Sequence, residues 1–511
     1  MSAEITQSKA VDYEALRARL AAENGPAYWR SLDELAHLGE VNEAFHQEFP
    51  STVTDTLDPV SRRNFVKLMG ASMMLAGLAS CARQPDETIV PYVQQPEQLV
   101  LGKPLYFATA YPFSGYGLGL VATSFNYRPT KIQGLAEHPS SLGGADSFAQ
   151  ASILDLYDPD RLDAVLSRGN LTPWKTFVNA AATALQSVDA GAGAGLRILT
   201  GTVTSPTLAW QIRRILSAYP EAQWHQYEPV NQDNVRAGAE MAFGRIVHPV
   251  YHFDQADVIL SLDSDFLMFG PGRVRYNLDF ANSRAARLEE GHMSRFYAAE
   301  CAPTLTGANA DHKINLRYAQ VETLARLVAR ELGVSADVAP AALDDKTLPS
   351  GFATWVEALV ADLKAAGAKA VVIAGDEQPA VVHALANAMN HALGSAGTVV
   401  TYHEPVEAEP MNQLASLRQL ANDMRDGKVT NLIILDGNPV YDTPADVDFA
   451  SALEAMASGS IFYLTSHRNE TSRLCHWVVP AAHYLESWSD ARGHDGTVSI
   501  VQPLIQPLYN G

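Results

Sequence analysis

The sequence predicts an α/β protein built on doubly wound parallel sheets. A chain of 511 residues with 47% hydrophobic content is long enough for two or three domains with buried cores. Short apolar runs that end in Gly or polar residues alternate with stretches of helical periodicity, which is typical of parallel strands covered by helices on both faces. The five runs are residues 196–201, 257–263, 370–375, 431–437 and 461–465.

The ends of these runs predict the position of a ligand crevice. In open parallel sheets, ligands bind beyond the carboxyl ends of the strands, so residues 201–206, 375–379 and 437–439 mark its predicted edge. Two glycine-rich strings do not qualify as phosphate-binding loops. Residues 115–119 lack the G-x-G-x-x-G spacing, and residues 191–195 precede a strand instead of following one.

Charge and cysteine content exclude several classes of function. The chain has 37 Lys and Arg against 57 Asp and Glu, a formal net charge of −20, which repels nucleic acid and anionic lipid and favours a basic or cationic redox partner. Cys81, Cys301 and Cys475 are far apart and form no C-x-x-C pair, so a cysteine-ligated zinc or iron–sulfur site is not predicted. The histidines show no metal-ligand spacing, and no apolar run is long enough for a membrane span.

An export signal is predicted about sixty residues into the chain. Residues 61–67 match the twin-arginine pattern, and the apolar stretch 68–79 that follows is too short to anchor in a bilayer. Small residues precede Cys81, which makes this cysteine a candidate for lipidation. The alternative is an amphipathic helix with a basic first turn and a buried cysteine. The residues that carry the signal are Arg62, Arg63, Phe65 and Lys67.

Several segments together resemble a known family. Residues 132–139 and 156–162 resemble the first-domain signature of the dimethyl sulfoxide reductase family of molybdopterin oxidoreductases, and residues 435–439 and 477–486 are similar to its second-domain segments. With the twin-arginine leader and residues 28–32 ahead of it, the chain is most similar to one degenerate branch. That branch is the molybdopterin-like half of the iron–sulfur subunit of alternative complex III, the bacterial quinol oxidoreductase that replaces the bc1 complex.

The resemblance implies a domain organisation with two Rossmann-like domains and a small β-rich first domain. The first domain, degenerate and iron–sulfur-like, is expected at 105–165, after an extended leader with the export signal at 1–81 and a linker at 82–104. The molybdopterin-oxidoreductase-like α/β domain is expected to comprise 166–240 and 330–511, with an inserted α/β domain at 241–329.

The chain departs from the cofactor-loaded members of this family at two places. The last cysteine of their [4Fe–4S] site corresponds to about Asp146 and a cationic residue beyond it to about Phe148, so the cluster site is expected to be lost. A Gly-x-Asn that approaches the dinucleotide cofactor is replaced by Asp263, Ser264 and Asp265, whose carboxylates would repel a pyrophosphate. No catalytic, cofactor-binding or metal-binding residue is therefore predicted in this chain.

The function that the resemblance implies is a non-catalytic scaffold or electron-transfer subunit of a membrane respiratory quinol oxidoreductase. Its implied partners are iron–sulfur, multihaem cytochrome c and quinol-site membrane subunits, with no nucleic acid. The protein is expected in the periplasm or on the outer face of the cytoplasmic membrane, held there by the complex and a lipid anchor. The alternative is an active molybdopterin-dependent oxidoreductase with its metal ligated by an oxygen of Asp146 or Ser147.

The sequence also predicts that the chain is a fragment or one half of a split subunit. The final residues, 495–511, alternate β-type residues with proline and have no closing helix. The resemblance implies iron–sulfur clusters in a further C-terminal domain or in a partner. An independent, shorter protein that ends here is the alternative.

Overall fold

The computed structural model describes residue 100 and residues 102–509, apart from 190, 290–292, 335–346 and 457–458. The leader, its signal residues Arg62, Arg63, Phe65 and Lys67, and the lipidation candidate Cys81 lie outside the described residues. Within the described part, no helix is both long and apolar enough to cross a membrane.

The described residues form eighteen strands. In chain order they are β1 Leu105–Phe113, β2 Tyr116–Phe125, β3 Arg128–Gly134, β4 Leu166–Ser167, β5 Asn170–Leu171, β6 Leu196–Thr200, β7 Gln223–Gln226, β8 His248–Tyr251, β9 Val258–Leu262, β10 Arg295–Glu300, β11 His312–Asn315, β12 Ala370–Ala374, β13 Val400–His403, β14 Asn431–Leu435, β15 Ser460–Thr465, β16 Trp477–Pro480, β17 Ser489–Arg492 and β18 Val498–Val501. The five predicted runs are β6, β9, β12, β14 and β15.

Thirteen α-helices and two short 3-10 helices, Phe253–Gln255 and Gly367–Lys369, accompany these strands in the described part of the chain. In chain order the α-helices are α1 Ser147–Leu156, α2 Trp174–Asp189, α3 Pro206–Ala218, α4 Asp233–Phe243, α5 Arg273–Glu289, α6 Leu305–Ala308, α7 Tyr318–Glu331, α8 Phe352–Ala366, α9 Ala380–Leu393, α10 Gln413–Arg425, α11 Pro439–Asp442, α12 Phe449–Glu454 and α13 Glu470–Leu474.

The larger sheet has seven strands in the order β5-β4-β16-β15-β14-β6-β7. The five strands from β16 to β7 run parallel, and β4 and β5 add an antiparallel edge. One face packs on α10 and α12 through Leu417, Leu420 and Leu453, and the other packs on α3 through Ile212. The predicted class, a parallel sheet wound on both sides, is confirmed.

The second sheet has four parallel strands in the order β11-β10-β9-β12. Helices α7, α8 and α9 cover one face, and an aromatic cluster that contains Phe253, Phe266, Phe280 and Phe296 covers the other. Because β12 pairs with β9, this sheet continues beyond residue 329, where the sequence placed the end of the inserted domain. The apolar pattern of a buried strand does not reveal which sheet it joins.

A small antiparallel sheet, β1-β2-β3, and the β17–β18 hairpin complete the fold. Leu118, Leu120 and Ile132 of the small sheet share a core with Leu156 of α1 and Leu485 near the end of the chain. Arg492 N, in β17, donates a 3.0 Å hydrogen bond to Thr204 Oγ1, in the loop after β6. The hairpin is thereby fixed beside the loop at the carboxyl end of β6, in the seven-stranded sheet.

Candidate functional site

A cavity of about 380 Å³ lies beyond the carboxyl ends of the parallel strands β6 and β14. Its walls include residues 199–205 at the end of β6 and in the loop that follows, residues 435–439 at the end of β14 and directly after it, and residues 489–491 at the start of β17. Two of the three loops that the sequence marked as the crevice edge therefore line it. The third, residues 375–379, contributes Asp376 to a neighbouring cavity.

A tight turn after β14 forms one wall of this cavity. Asp436 and Gly437 both have a left-handed backbone, with φ of 64° and 76°, and the chain bends at these two residues. Asn438 holds the turn in place because its Oδ1 accepts a 2.8 Å hydrogen bond from Thr471 Oγ1. Its Nδ2 donates at 2.8 Å to Glu470 Oε2. The side chain of Asn438 thus attaches the 435–439 segment to the start of α13.

Four carboxylates line the larger cavity: Glu228, Asp436, Asp442 and Asp490. Glu228 follows β7, and its Oε1 accepts a 3.0 Å hydrogen bond from the backbone N–H of Thr202. Burial raises the pKa of Glu228 to about 7 and that of Asp442 to about 6. Asp442 Oδ1 has no hydrogen-bond partner among the described residues. Both carboxylates are therefore costly to ionise where they lie.

A second cavity, of about 240 Å³, shares Ser114, Thr202, Glu228 and Pro229 with the first. Its wall is largely aromatic and apolar. The residues that give it this character are Phe113, Tyr116, Phe148, Val230, Met268 and Phe269. Burial also raises the pKa of Asp376, in the same wall, to about 6.

The two arginines of the second cavity are already neutralised by carboxylates. Arg236 Nη1 lies 2.8 Å from both carboxylate oxygens of Glu407, and its Nη2 lies 2.6 Å from Asp233 Oδ1. Arg273 Nε donates at 2.7 Å to Asp146 Oδ2, and its guanidinium lies 4.6 Å above the ring of Phe113. The positive charges of Arg236 and Arg273 are therefore compensated by carboxylates of the protein itself.

No family model matches the chain, but a curated protein and a solved structure are similar to it. The chain is 24% identical over 453 residues to the menaquinone reductase, molybdopterin-binding-like subunit, of Nitratidesulfovibrio vulgaris, a match that covers 80% of this chain and 63% of that protein. It therefore spans less than two thirds of the length of this curated relative. The solved structure of acetylene hydratase from Pelobacter acetylenicus covers 79% of this chain and 67% of its own, with a TM-score of 0.56 at 15% identity.

The chain has a molybdopterin-oxidoreductase-like fold. The resemblance that the sequence motifs indicate is confirmed by the curated relative and by the structural likeness.

The crevice of this molybdopterin-like chain does not fit an anionic dinucleotide cofactor. Four carboxylates line the larger cavity, and among the described residues no Lys, Arg or His does. A pyrophosphate placed there would have carboxyl groups and no cationic side chain around it, so its charge would stay uncompensated in a partly desolvated site. The described residues also contain no group of three or more His, Cys, Asp and Glu side chains arranged to hold a metal ion.

Asp146, which the sequence offered as an alternative metal ligand, has a structural role in this fold. Its Oδ1 accepts a 2.8 Å hydrogen bond from Ala149 N and caps α1, while its Oδ2 pairs with Arg273. Ser147 is exposed and lines neither cavity. Phe148 stacks on Phe113 with a centroid distance of 5.2 Å and lines the second cavity.

Asp263 and Asp265, which the sequence predicts to repel a pyrophosphate, accept hydrogen bonds from neighbouring groups of the protein. Asp263 Oδ1 accepts from Cys301 N at 2.9 Å, and its Oδ2 accepts from Gln378 Nε2 at 2.8 Å. Asp265 Oδ1 accepts from Thr306 Oγ1 at 2.6 Å. Neither aspartate lines the two cavities.

The carboxylates that do face the crevice were missed at the sequence level, for identifiable reasons. Glu228 follows β7, Gln223–Gln226. This strand has only four residues and a largely polar composition, so the apolar pattern did not predict it. Asp490 lies on a hairpin far along the chain from the loop that it contacts. Asp436 lies inside a segment that the sequence singled out for its resemblance, which is the signal that could have identified it.

Proposed function

We propose that this chain is a non-catalytic subunit of a membrane respiratory quinol oxidoreductase of the alternative complex III type, in which the molybdopterin fold is kept without its cofactor. The acid-lined crevice carries the non-catalytic part of the proposal. An anionic dinucleotide would bind beyond the carboxyl ends of the parallel strands. The cavity at that position is lined by four carboxylates and, among the described residues, by no cationic side chain. The respiratory part is supported by the curated relative, whose name is that of a subunit of a menaquinone reductase.

The proposed partners follow from the same role. A subunit without a redox centre of its own serves a respiratory complex by positioning the electron-carrying parts, here iron–sulfur, multihaem cytochrome c and quinol-site membrane subunits. The proposed location is the periplasm or the outer face of the cytoplasmic membrane. Arg62 and Arg63 of the export signal support this location, and lipidation at Cys81 would add an anchor.

The test is to isolate the native complex from solubilised membranes with an antibody against this chain. Peptide mapping identifies the subunits that accompany it, and visible and paramagnetic-resonance spectra detect haem and iron–sulfur clusters. We expect both centres to co-purify, while molybdenum, tungsten and pterin remain far below stoichiometric amounts. A molybdenum enzyme from the same cells, prepared in parallel, shows that the cofactor is being made.

Growth without molybdate provides a functional readout. Quinol oxidation by the isolated complex should be unchanged, whereas the parallel molybdenum enzyme should lose activity. Stoichiometric molybdenum on this chain would support the alternative, an active molybdopterin-dependent oxidoreductase. A chain that is found alone, without haem or clusters, would contradict the respiratory role.

A further inference from the structure

The N-terminus of helix α3 opens into the larger cavity. The helix begins at Pro206, directly after the loop that follows β6, and Ser205 and Leu208 both line the cavity. A helix N-terminus carries unpaired N–H donors and a partial positive charge, and in sheets of this kind it is the usual place for a phosphate group. An empty site of this sort would favour an anionic ligand.

Every donor in the first turn of α3 is already used. Pro206 has no N–H. The backbone N–H of Thr207 donates at 3.3 Å to Asp490 Oδ1, and that of Leu208 donates at 3.0 Å to Ser205 Oγ. The backbone N–H of Ala209 donates at 3.0 Å to the carbonyl oxygen of Ser205. An incoming phosphate would find no free backbone donor at this position.

Asp490 reaches the helix from the β17–β18 hairpin and receives more than the backbone bond. The hydroxyl of Ser205 donates to its Oδ1, and the hydroxyl of Thr207 donates at 2.5 Å to its Oδ2. Both oxygens of one carboxylate are thus bound by the donors that would surround a phosphate. The hydrogen bond between Arg492 and Thr204 keeps the hairpin in this position.

We propose that Asp490 is an internal substitute for a bound phosphate: it fills the anion site at the N-terminus of α3 and closes the crevice to phosphate-bearing ligands. The inference deepens the proposed function, on which it rests, because it names the residue that excludes a dinucleotide. Removing this carboxylate should reopen a site for inorganic phosphate or pyrophosphate.

The experiment compares binding of inorganic pyrophosphate to the full-length wild type and to Asp490→Ala by calorimetry and by thermal unfolding. A pH of 6 is suitable because Glu228, with its pKa raised to about 7, is then mostly protonated and repels the probe less. We expect no measurable binding to the wild type. Asp490→Ala should unfold at a lower temperature, and pyrophosphate should restore part of the loss with at least about tenfold tighter binding than in the wild type.

Asp448→Ala is the matched control. Asp448 also caps a helix, since its Oδ1 accepts a 3.4 Å hydrogen bond from Ser451 N, but it lines neither cavity. Pyrophosphate should not restore the stability of this variant, which separates a specific site from a general effect of the salt. Asp490→Asn keeps the shape of the side chain without its charge and serves if Asp490→Ala does not fold.

Two results would overturn the inference: equal binding of pyrophosphate to the wild type and the variants, or no gain of binding in either Asp490 variant. Neither result bears on subunit membership or on molybdenum content. Failure of this inference is therefore distinguishable from failure of the proposed function.

Discussion

Arg161 and Glu486 form a buried ion pair that joins residues 325 positions apart. Two guanidinium nitrogens donate to the two carboxylate oxygens at 3.1 and 2.7 Å, and the side chains are only 2% and 0% exposed. Glu486 also accepts 2.8 Å hydrogen bonds from the backbone N–H groups of His483 and Leu508. The pair ties the first β-rich domain to the last part of the chain.

Loss of one partner from this pair should be strongly destabilising. In Glu486→Gln the guanidinium of Arg161 stays buried without its counter-charge, which typically costs about 3–5 kcal/mol. Glu404→Gln is the control, because Glu404 pairs with Arg245 on the surface, where the side chains are 78% and 66% exposed and such pairs contribute less than about 1 kcal/mol. Urea unfolding followed by tryptophan fluorescence measures both, and equal midpoints would contradict the prediction.

The carboxyl of Glu228 should make stability fall as the pH rises. Burial raises its pKa from 4.5 to about 7, so the unfolded state releases the proton first and is favoured increasingly between those two values. Glu228→Gln keeps an oxygen that can accept from Thr202 N and removes the titration. We expect the variant to gain about 1–3 kcal/mol over the wild type between pH 5 and pH 8, since one pKa unit corresponds to about 1.4 kcal/mol.

Urea midpoints at the two pH values measure this gain. The exposed residue Glu409 provides the control, and Glu409→Gln should follow the wild type at both pH values. Parallel profiles for Glu228→Gln and the wild type would show that burial does not perturb this group.

Gly115, in the turn between β1 and β2, should tolerate no side chain. It has a φ of +83°, and a Cβ atom there would lie 2.1 Å from the carbonyl oxygen of Thr202, in the wall of the crevice. Gly169→Ala is the control, because Gly169 has nearly the same φ, +81°, and no atom within 4 Å of the added carbon. We expect Gly169→Ala to cost about 1–2 kcal/mol from backbone strain alone.

Gly115→Ala should lower the unfolding temperature clearly more than Gly169→Ala does, because the small sheet must move away from the β6 loop. Thermal unfolding by circular dichroism compares the two variants. Equal losses would mean that the close approach of Gly115 to Thr202 contributes nothing beyond the backbone conformation.

The arginine pair of the signal should decide export. Changing Arg62 and Arg63 to Lys keeps both charges but removes the guanidinium groups that a twin-arginine translocase reads, so the protein should stay in the cytoplasm. Arg17 and Arg19 precede the motif, and the same double change there should leave export intact. Protease accessibility in spheroplasts gives the readout. If the variant with both Arg62 and Arg63 changed is exported normally, the prediction of a twin-arginine signal is wrong.

The pairing of Arg161 with Glu486 could not be predicted from the sequence motifs alone. Both residues lie in segments that the sequence singled out, 156–162 and 477–486, yet nothing in the local pattern indicates that they meet. Asp146 and Asp263 show the opposite case. Their positions suggested a role at the cofactor, but each accepts hydrogen bonds from its own surroundings instead.

The sequence by itself determined the five buried strands and the parallel, doubly wound class, because a strand covered on both faces must be apolar along its whole length and this pattern is local. Only the tertiary structure decided that β12 joins β9, and that Glu228, Asp436, Asp442 and Asp490 line one cavity. The physical reason is that these carboxylates come from three separate segments, with Glu228 after β7, Asp436 and Asp442 after β14, and Asp490 in β17. The strand order β14-β6-β7 and the packing of the β17–β18 hairpin bring these segments together. Charge in a crevice depends on that long-range arrangement, which no short stretch of sequence encodes.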